Sequence, residues 1–438
     1  MRRKFAEPDS QPPMRVERAL RLLPESEAML PLRALLISMS RPDERQVWSS
    51  SGPYLTLGKR GVQPDDVRLR LGKAVQQVTQ HVEALYEAYL DALQCDQRRD
   101  GAGAVGALLR AGHIEGTVGR YGQARIWYDK ALTVAEALPT RRPEVNALRS
   151  LGELSLRVGA SLEAARHFQR ALALTESGFD QIGAVAACEG LGDAAAAQGH
   201  WHGGQAWYAR GLRLAEASKQ AVPSGRLHHR LGRLAALRGD ATATREHLRR
   251  GREYFEVAGD AKEMAELLNT QGSLDAEAQR PTAAEAAYRE ALAWARRGDE
   301  HDVGLEVSIR INLARLQLGL DRLLEAEEQM RRAEQLAIAG NLVRRLIQIY
   351  ILMGELRGRQ LDPAGFVFFE QAIELCRSLE RSPVFESRVC QAYARFKEAL
   401  GEQEEARAYE ERARDILSTA GQADENARVA DFLDRAYS

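Results

Sequence analysis

Small and large apolar residues recur in the middle of the chain with a strict period of 40 residues. Four glycines stand 40 residues apart, each after a leucine or a glutamine, at Gly152, Gly192, Gly232 and Gly272. Sixteen residues after each glycine comes a large apolar residue, and these are Phe168, Tyr208, Leu248 and Tyr288. Small residues flank each of them, for example Ala164 and Ala171 around Phe168. A fixed period of this length is typical of a repeat array.

Turn-forming residues divide each repeat into two helices. Gly159, Gly199 and Gly239 fall midway through their repeats, where a glycine in the left-handed conformation ends a helix. Prolines stand where helices are expected to begin, at Pro143, Pro223, Pro281, Pro363 and Pro383. Each repeat is therefore predicted to be a pair of antiparallel helices of roughly four turns each. Because one pair cannot bury its apolar face alone, the pairs must stack into an all-α solenoid.

Looser copies of the pattern extend the array in both directions. Residues 101–420 are predicted to form a solenoid of eight repeats, preceded by a degenerate first repeat at residues 64–100. Residues 421–438 are expected to form a C-terminal capping helix. Residues 1–63 are rich in proline and are expected to be a partly ordered tail or cap. A small interaction or DNA-binding module is the alternative for that segment.

Composition and charge narrow the function classes. The 438 residues carry 61 lysines and arginines against 62 aspartates and glutamates, which gives a formal net charge of −1. This balance gives no reason to expect binding to nucleic acid or to an acidic membrane surface. The four cysteines form no C-x2-C pair, and the best apolar run, residues 29–39, is too short to span a bilayer. We therefore expect a soluble cytoplasmic protein.

The segment from Leu151 and Gly152 to Ala171 resembles the tetratricopeptide repeat (TPR), whose signature runs Leu-Gly, then Ala-x3-Phe, then Ala. The tryptophan of that signature is replaced here, and the period is near 40 residues rather than about 34. In both departures the chain resembles the long-repeat members of the family, which occur in kinesin light chains, cell-polarity adaptors and bacterial peptide-sensing regulators. The resemblance implies a right-handed superhelix whose first helices line a concave groove for a segment of a partner protein.

The same resemblance places the groove residues three positions before and one position after each repeat glycine. Together with Arg226 and Arg230, which lie one turn before and next to His229, they form the candidate partner-binding set. The positions taken from the resemblance are Arg149, Glu153, Glu189, Asp193, His229, Arg233, Asn269 and Arg315.

A basic band crosses the centre of the array. Residues 201–252 contain eleven lysines and arginines but only three acidic residues. Facing the groove, such arginines could clamp a carboxylate, a phosphate or an acidic peptide, because arginine binds these groups bidentately. The alternative is that about half of them lie on outward helices and pair with neighbouring repeats.

Candidate catalytic or metal-binding groups are few. The stretch from Gly52 to Arg60 is one residue too long for a phosphate loop and lacks its Ser/Thr. The histidine pairs, His200 with His202 and His228 with His229, have no further ligands at helical spacing. We therefore expect no enzyme activity, no metal and no cofactor.

The sequence favours a non-catalytic scaffold or adaptor that binds another protein in its groove. The alternative is a regulatory receptor that changes conformation when it binds a peptide or a small effector. Self-assembly into a homo-oligomer is a third possibility.

Overall fold

A computed structural model of the chain describes residues 84–419, apart from 86, 89–90, 93, 96–97, 118, 179, 298–301, 341 and 379–382. The tail expected at residues 1–63, the first part of the degenerate repeat and the capping helix expected at residues 421–438 lie outside the described residues. The last part of the degenerate repeat, around Ala84–Cys95, is helical where it is described.

Sixteen α-helices and one short 3-10 helix, Pro363–Gly365, follow one another in the described residues from position 101 onward. The first eight are α1 Gly101–Thr117, α2 Tyr121–Glu136, α3 Arg142–Arg157, α4 Ser161–Gly178, α5 Gln181–Ala197, α6 Trp201–Ala217, α7 Ala221–Leu237 and α8 Ala241–Ala258. The others are α9 Ala261–Glu277, α10 Pro281–Ala295, α11 Val303–Gly319, α12 Leu323–Ala339, α13 Val343–Arg359, α14 Phe366–Ser378, α15 Pro383–Ala399 and α16 Gln403–Thr419. None of the described helices has the length and apolar character that a bilayer crossing requires.

The helices pack in eight consecutive pairs. Each odd-numbered helix packs most extensively on the even-numbered helix that follows it, and each pair then packs on the next pair along the chain. We call the odd-numbered helices the first helices and number the pairs 1 to 8. This arrangement confirms the predicted all-α solenoid of stacked helix pairs.

Local sequence explains where the helices begin and end. Gly159, Gly199 and Gly239 have φ values of 83°, 74° and 75°, so they end the first helices of pairs 2, 3 and 4 in the left-handed conformation, as predicted. Aspartates begin several helices: the side chains of Asp180 and Asp240 accept hydrogen bonds from backbone N–H groups three residues later. These caps fix the ends of the helices.

The repeat glycine and the large apolar residue form a single packing contact. A Cβ atom on Gly152 would lie 2.6 Å from Cζ of Phe168, which is 1 % exposed. On Gly192 it would lie 2.2 Å from Cε1 of Tyr208. The absence of a side chain on the first helix therefore makes room for the ring of the second helix. This contact explains why a glycine and a large apolar residue sixteen positions later recur together in each repeat.

Candidate binding groove

The first helices of pairs 3 to 7 line one cavity of about 350 Å³. Helix α7 contributes one wall with Arg226, His229, Arg230 and Arg233. Helix α9 contributes the facing wall with Glu263, Glu266, Asn269 and Thr270. Glu189 of α5 closes one side, and residues around the N-termini of α11 and α13 close the other, among them Asp302, Ser308, Leu342 and Arg345. We call this cavity the groove pocket.

Six of the ten candidate residues line the groove pocket, namely Glu189, Arg226, His229, Arg230, Arg233 and Asn269. Asp193 lies beside it, where its carboxylate accepts a hydrogen bond of 2.6 Å from the hydroxyl of Tyr208. Arg149, Glu153 and Arg315 do not line it. Arg149 and Glu153 form an ion pair of 3.4 Å on α3, and Arg315 donates to Asn312 on α11.

Two arginines of the α7 wall form ion pairs with acids of neighbouring repeats. Arg226 lies 3.3 Å from Glu189 on α5 and 3.6 Å from Glu263 on α9. Arg230 lies 3.5 Å from Glu189 and 3.3 Å from Asp193. The pKa of Arg226 is raised, chiefly by the charge of Glu189. Much of the positive charge expected from the sequence is therefore compensated within the protein.

The remaining arginines of the basic band do not line the groove pocket. Arg210 of α6 pairs with Glu176 of α4, and Arg252 of α8 lies 2.7 Å from Glu290 of α10. Arg249 lies 2.9 Å from Glu246 within α8. The band therefore includes a groove part on α7 and arginines on the second helices α6 and α8, of which Arg210, Arg249, Arg250 and Arg252 are paired with acids.

Burial perturbs the ionisable groups of the pocket. Desolvation, followed by the charge of Glu266, raises the pKa of Glu263 to about 7. The pKa of His229 is well below its usual value because the ring is buried next to Arg233 and Arg230. Its Nε2 lies 2.8 Å from the hydroxyl of Thr270. The pocket therefore holds a neutral histidine and a carboxyl group that titrates near neutral pH.

The repeat pattern did not indicate the pocket residues at the N-terminal turns of the first helices. Glu263 and Arg345 each stand nine residues before a repeat glycine, Gly272 and Gly354. The groove was expected around the glycine itself, whereas the pocket extends two turns towards the helix start. The pair Glu263 and Glu266, which share one face of α9, was the available signal.

Metal-binding and nucleophilic groups do not assemble in the part of the chain that the structure describes. Within it no cluster of three or more His, Cys, Asp or Glu side chains is placed to hold a metal ion. Nδ1 of His228 instead lies 3.0 Å from Nδ1 of His247. Burial raises the pKa of Cys188 to about 11 and that of Cys376 to about 12, so both remain thiols at neutral pH.

Comparison with known proteins agrees with this architecture. The tetratricopeptide repeat model matches residues 104–177, which span pairs 1 and 2. No curated protein matches the chain in sequence. Several solved structures are similar over most of the chain. The apo form of the quorum sensor NprR from B. thuringiensis is 16% identical, with a TM-score of 0.51, and the match covers 81% of this chain and 99% of that one.

A Rap protein complexed with Competence and Sporulation Factor is 12% identical, with a TM-score of 0.55 and the same coverage of 81% and 99%. At such low identity the likeness shows the fold alone. The chain is therefore a TPR-like α-solenoid protein, in which residues 104–177 match the tetratricopeptide repeat directly.

Proposed function

We propose that this protein is a non-catalytic binding protein that holds a short segment of another protein in the groove pocket. The observation that carries this proposal is the pocket itself, to which five successive first helices contribute. Its volume of about 350 Å³ is at the lower end of the range of about 300–1,000 Å³ that is usual for ligand sites. A cavity of this size encloses a few residues of a longer segment.

The lining suits a polar peptide segment. Four guanidinium groups and four carboxylates line the pocket, so it can pair with both negatively and positively charged groups of a ligand. Asn269, Thr270 and Ser308 add amide and hydroxyl groups, which can hydrogen-bond to the N–H and C=O groups of an extended chain. The formal net charge of −1 favours a protein partner over nucleic acid.

The state of the potential nucleophiles supports the non-catalytic role. The buried thiols are protonated at neutral pH and do not line the pocket. Ser308 lines it, but its hydroxyl donates to the carbonyl of Gly304. The hydroxyl of Thr270 lies 2.8 Å from Nε2 of His229, but the pKa of that ring is well below its usual value, which makes it a weak base.

A regulatory receptor is the second candidate, and the fold comparison favours it. NprR is described as a quorum sensor, and the similar Rap protein was solved with Competence and Sporulation Factor bound. Small-angle X-ray scattering with and without a bound peptide separates the two candidates. A receptor changes its radius of gyration when the peptide binds, whereas a scaffold does not.

Selection from a display library of random eight-residue peptides tests the binding function. We expect the full chain to enrich peptides that the double variant Glu266→Gln/Arg233→Gln binds about tenfold more weakly or worse, because two charged contacts are lost. The matched control is Glu253→Gln/Arg245→Gln, which neutralises the same two charges at exposed positions of α8. The control should bind as the unchanged chain does. An absence of enrichment, or equal binding by the pocket variant, would contradict the proposal.

A further inference from the structure

One arginine joins helix pairs that are far apart along the solenoid. The guanidinium carbon of Arg344, on the first turn of α13 in pair 7, lies 4.7 Å from the ring centroid of Tyr121. Tyr121 begins α2 of pair 1. The same guanidinium lies 5.3 Å from the ring of Phe385, on α15 of pair 8. Both distances are within the range of about 6 Å for cation–π attraction.

The guanidinium depends on these rings because its hydrogen bonding is incomplete. Nε of Arg344 is buried and has no hydrogen-bond partner among the described residues. Phe385 is 7 % exposed and belongs to the core of pairs 6 to 8, while Tyr121 packs against the core of pairs 1 and 2. Arg344 therefore connects two separate apolar cores.

Such a contact has a disproportionate effect in a stacked array. Each pair of a solenoid normally contacts only its neighbours, so small rotations between pairs add up along the chain. The distance between pair 1 and pair 7 therefore varies with the small rotations at all six interfaces between them. A direct attraction between these two pairs removes that freedom, although it is only one contact.

A second observation indicates that pair 1 lies close to pair 5. The pKa of His113 on α1 is lowered by burial and, to a smaller extent, by the charges of Arg157 and Lys262. Lys262 belongs to α9 of pair 5 and lies 2.8 Å from Asp302, which lines the groove pocket. Pair 1 therefore lies near enough to pair 5 for their charges to interact.

We propose that Arg344 is a clamp that holds pairs 1 and 7 together across the groove, so that the groove opens when the contact with Tyr121 breaks. Leu342 and Arg345, which stand on either side of Arg344, line the groove pocket. A ligand in the pocket would therefore bear on the helical turn that carries the clamp. The clamp itself is a property of the chain alone and requires no ligand.

Distance measurement by double electron–electron resonance tests the clamp on the full chain. Spin labels are attached at Thr133→Cys on α2 and Gln360→Cys after α13, both exposed positions. Cys95 is replaced by serine, because the other three cysteines are buried. Arg344→Gln should raise the population of long distances relative to short ones roughly 2- to 30-fold, the Boltzmann factor of one cation–π contact. Arg344→Lys keeps a cation and should give an intermediate shift.

The control removes a cation–π contact that spans no gap. Arg297 lies 4.3 Å from the ring of Trp294, its near neighbour in sequence, so Arg297→Gln should leave the distances unchanged. Tyr121→Leu removes the ring from the other side of the contact and should reproduce the effect of Arg344→Gln. It replaces Arg344→Gln in the test if Arg344→Gln folds poorly. The clamp is refuted if both Arg344→Gln and Tyr121→Leu keep the original distances, or if Arg297→Gln shifts them equally.

Discussion

Replacing Gly192 with alanine is expected to destabilise the solenoid by about 3 kcal/mol, the upper end of the usual cost of overpacking. The new Cβ atom would lie 2.2 Å from Cε1 and 2.3 Å from Cδ1 of Tyr208. That ring cannot move aside easily, because it is 2 % exposed and its hydroxyl is hydrogen-bonded to Asp193. Urea unfolding followed by far-UV circular dichroism measures the loss.

Gly203 provides a control with the opposite sign. It lies in the neighbouring helix α6, but a Cβ atom there would come no closer than 3.8 Å to the nearest atom, Cβ of Ala195. Gly203→Ala should therefore stabilise the protein by up to about 1 kcal/mol, the difference in helix propensity. If both substitutions stabilise the protein, the packing contact between the repeat glycine and the large apolar residue does not hold the pairs together.

Replacing Arg230 with methionine is expected to cost about 3 kcal/mol at neutral pH, even though the residue lines the proposed binding site. Its guanidinium, 21 % exposed, lies between Glu189 and Asp193, each 9 % exposed. Without it two buried carboxylates face each other with much of their charge uncompensated. The loss should become smaller as the pH is lowered, since protonation of Asp193 relieves the repulsion.

The direction of this pH dependence follows from the pKa of Asp193. Burial already raises the pKa of Asp193 in the folded protein, and loss of Arg230 raises it further. A raised pKa of an acid means that stability is lost as the pH rises through it, so the defect grows towards high pH. Arg249→Met, at an exposed position of α8, should change the free energy of unfolding by less than about 0.5 kcal/mol. A loss for Arg230→Met that does not depend on pH would contradict this account.

The expected loss of stability also limits which substitutions can be used to test binding in the groove. Reversing the charges of Arg226, Arg230 and Arg233 together would place new carboxylates among Glu189, Asp193 and Glu263. Loss of binding in that variant would report unfolding as readily as a missing contact. The neutral double variant with Arg233 and Glu266 introduces no new carboxylate among these acids and leaves Arg226 and Arg230 in place.

The sequence was sufficient for the helix pairs because the features that define them are local and repeated. Gly192 and Tyr208 are sixteen residues apart, and the period shows that they belong together. Gly159 and Pro281 mark helix ends through their own backbone preferences. Such information requires no knowledge of the neighbouring repeats.

The groove could be predicted only in part, because its electrostatics depend on contacts between repeats. Arg226 is paired with acids on both neighbouring first helices, and nothing in the sequence around it indicates this. The pocket also extends to the N-terminal turn of α13, where Arg345 lies outside the positions that the repeat pattern suggested. The contact of Arg344 with Tyr121 joins pairs too distant for any sequence period to reveal.

Photo-crosslinking of the selected peptide tests most directly the central claim that the groove pocket binds a partner segment. A benzophenone amino acid replaces Leu342, which lines the pocket, or Leu324, which is 82 % exposed on α12 and does not line it. We predict that the peptide crosslinks to the chain from position 342 and not from position 324. Crosslinking from position 324 alone, or equally from both positions, would contradict the account.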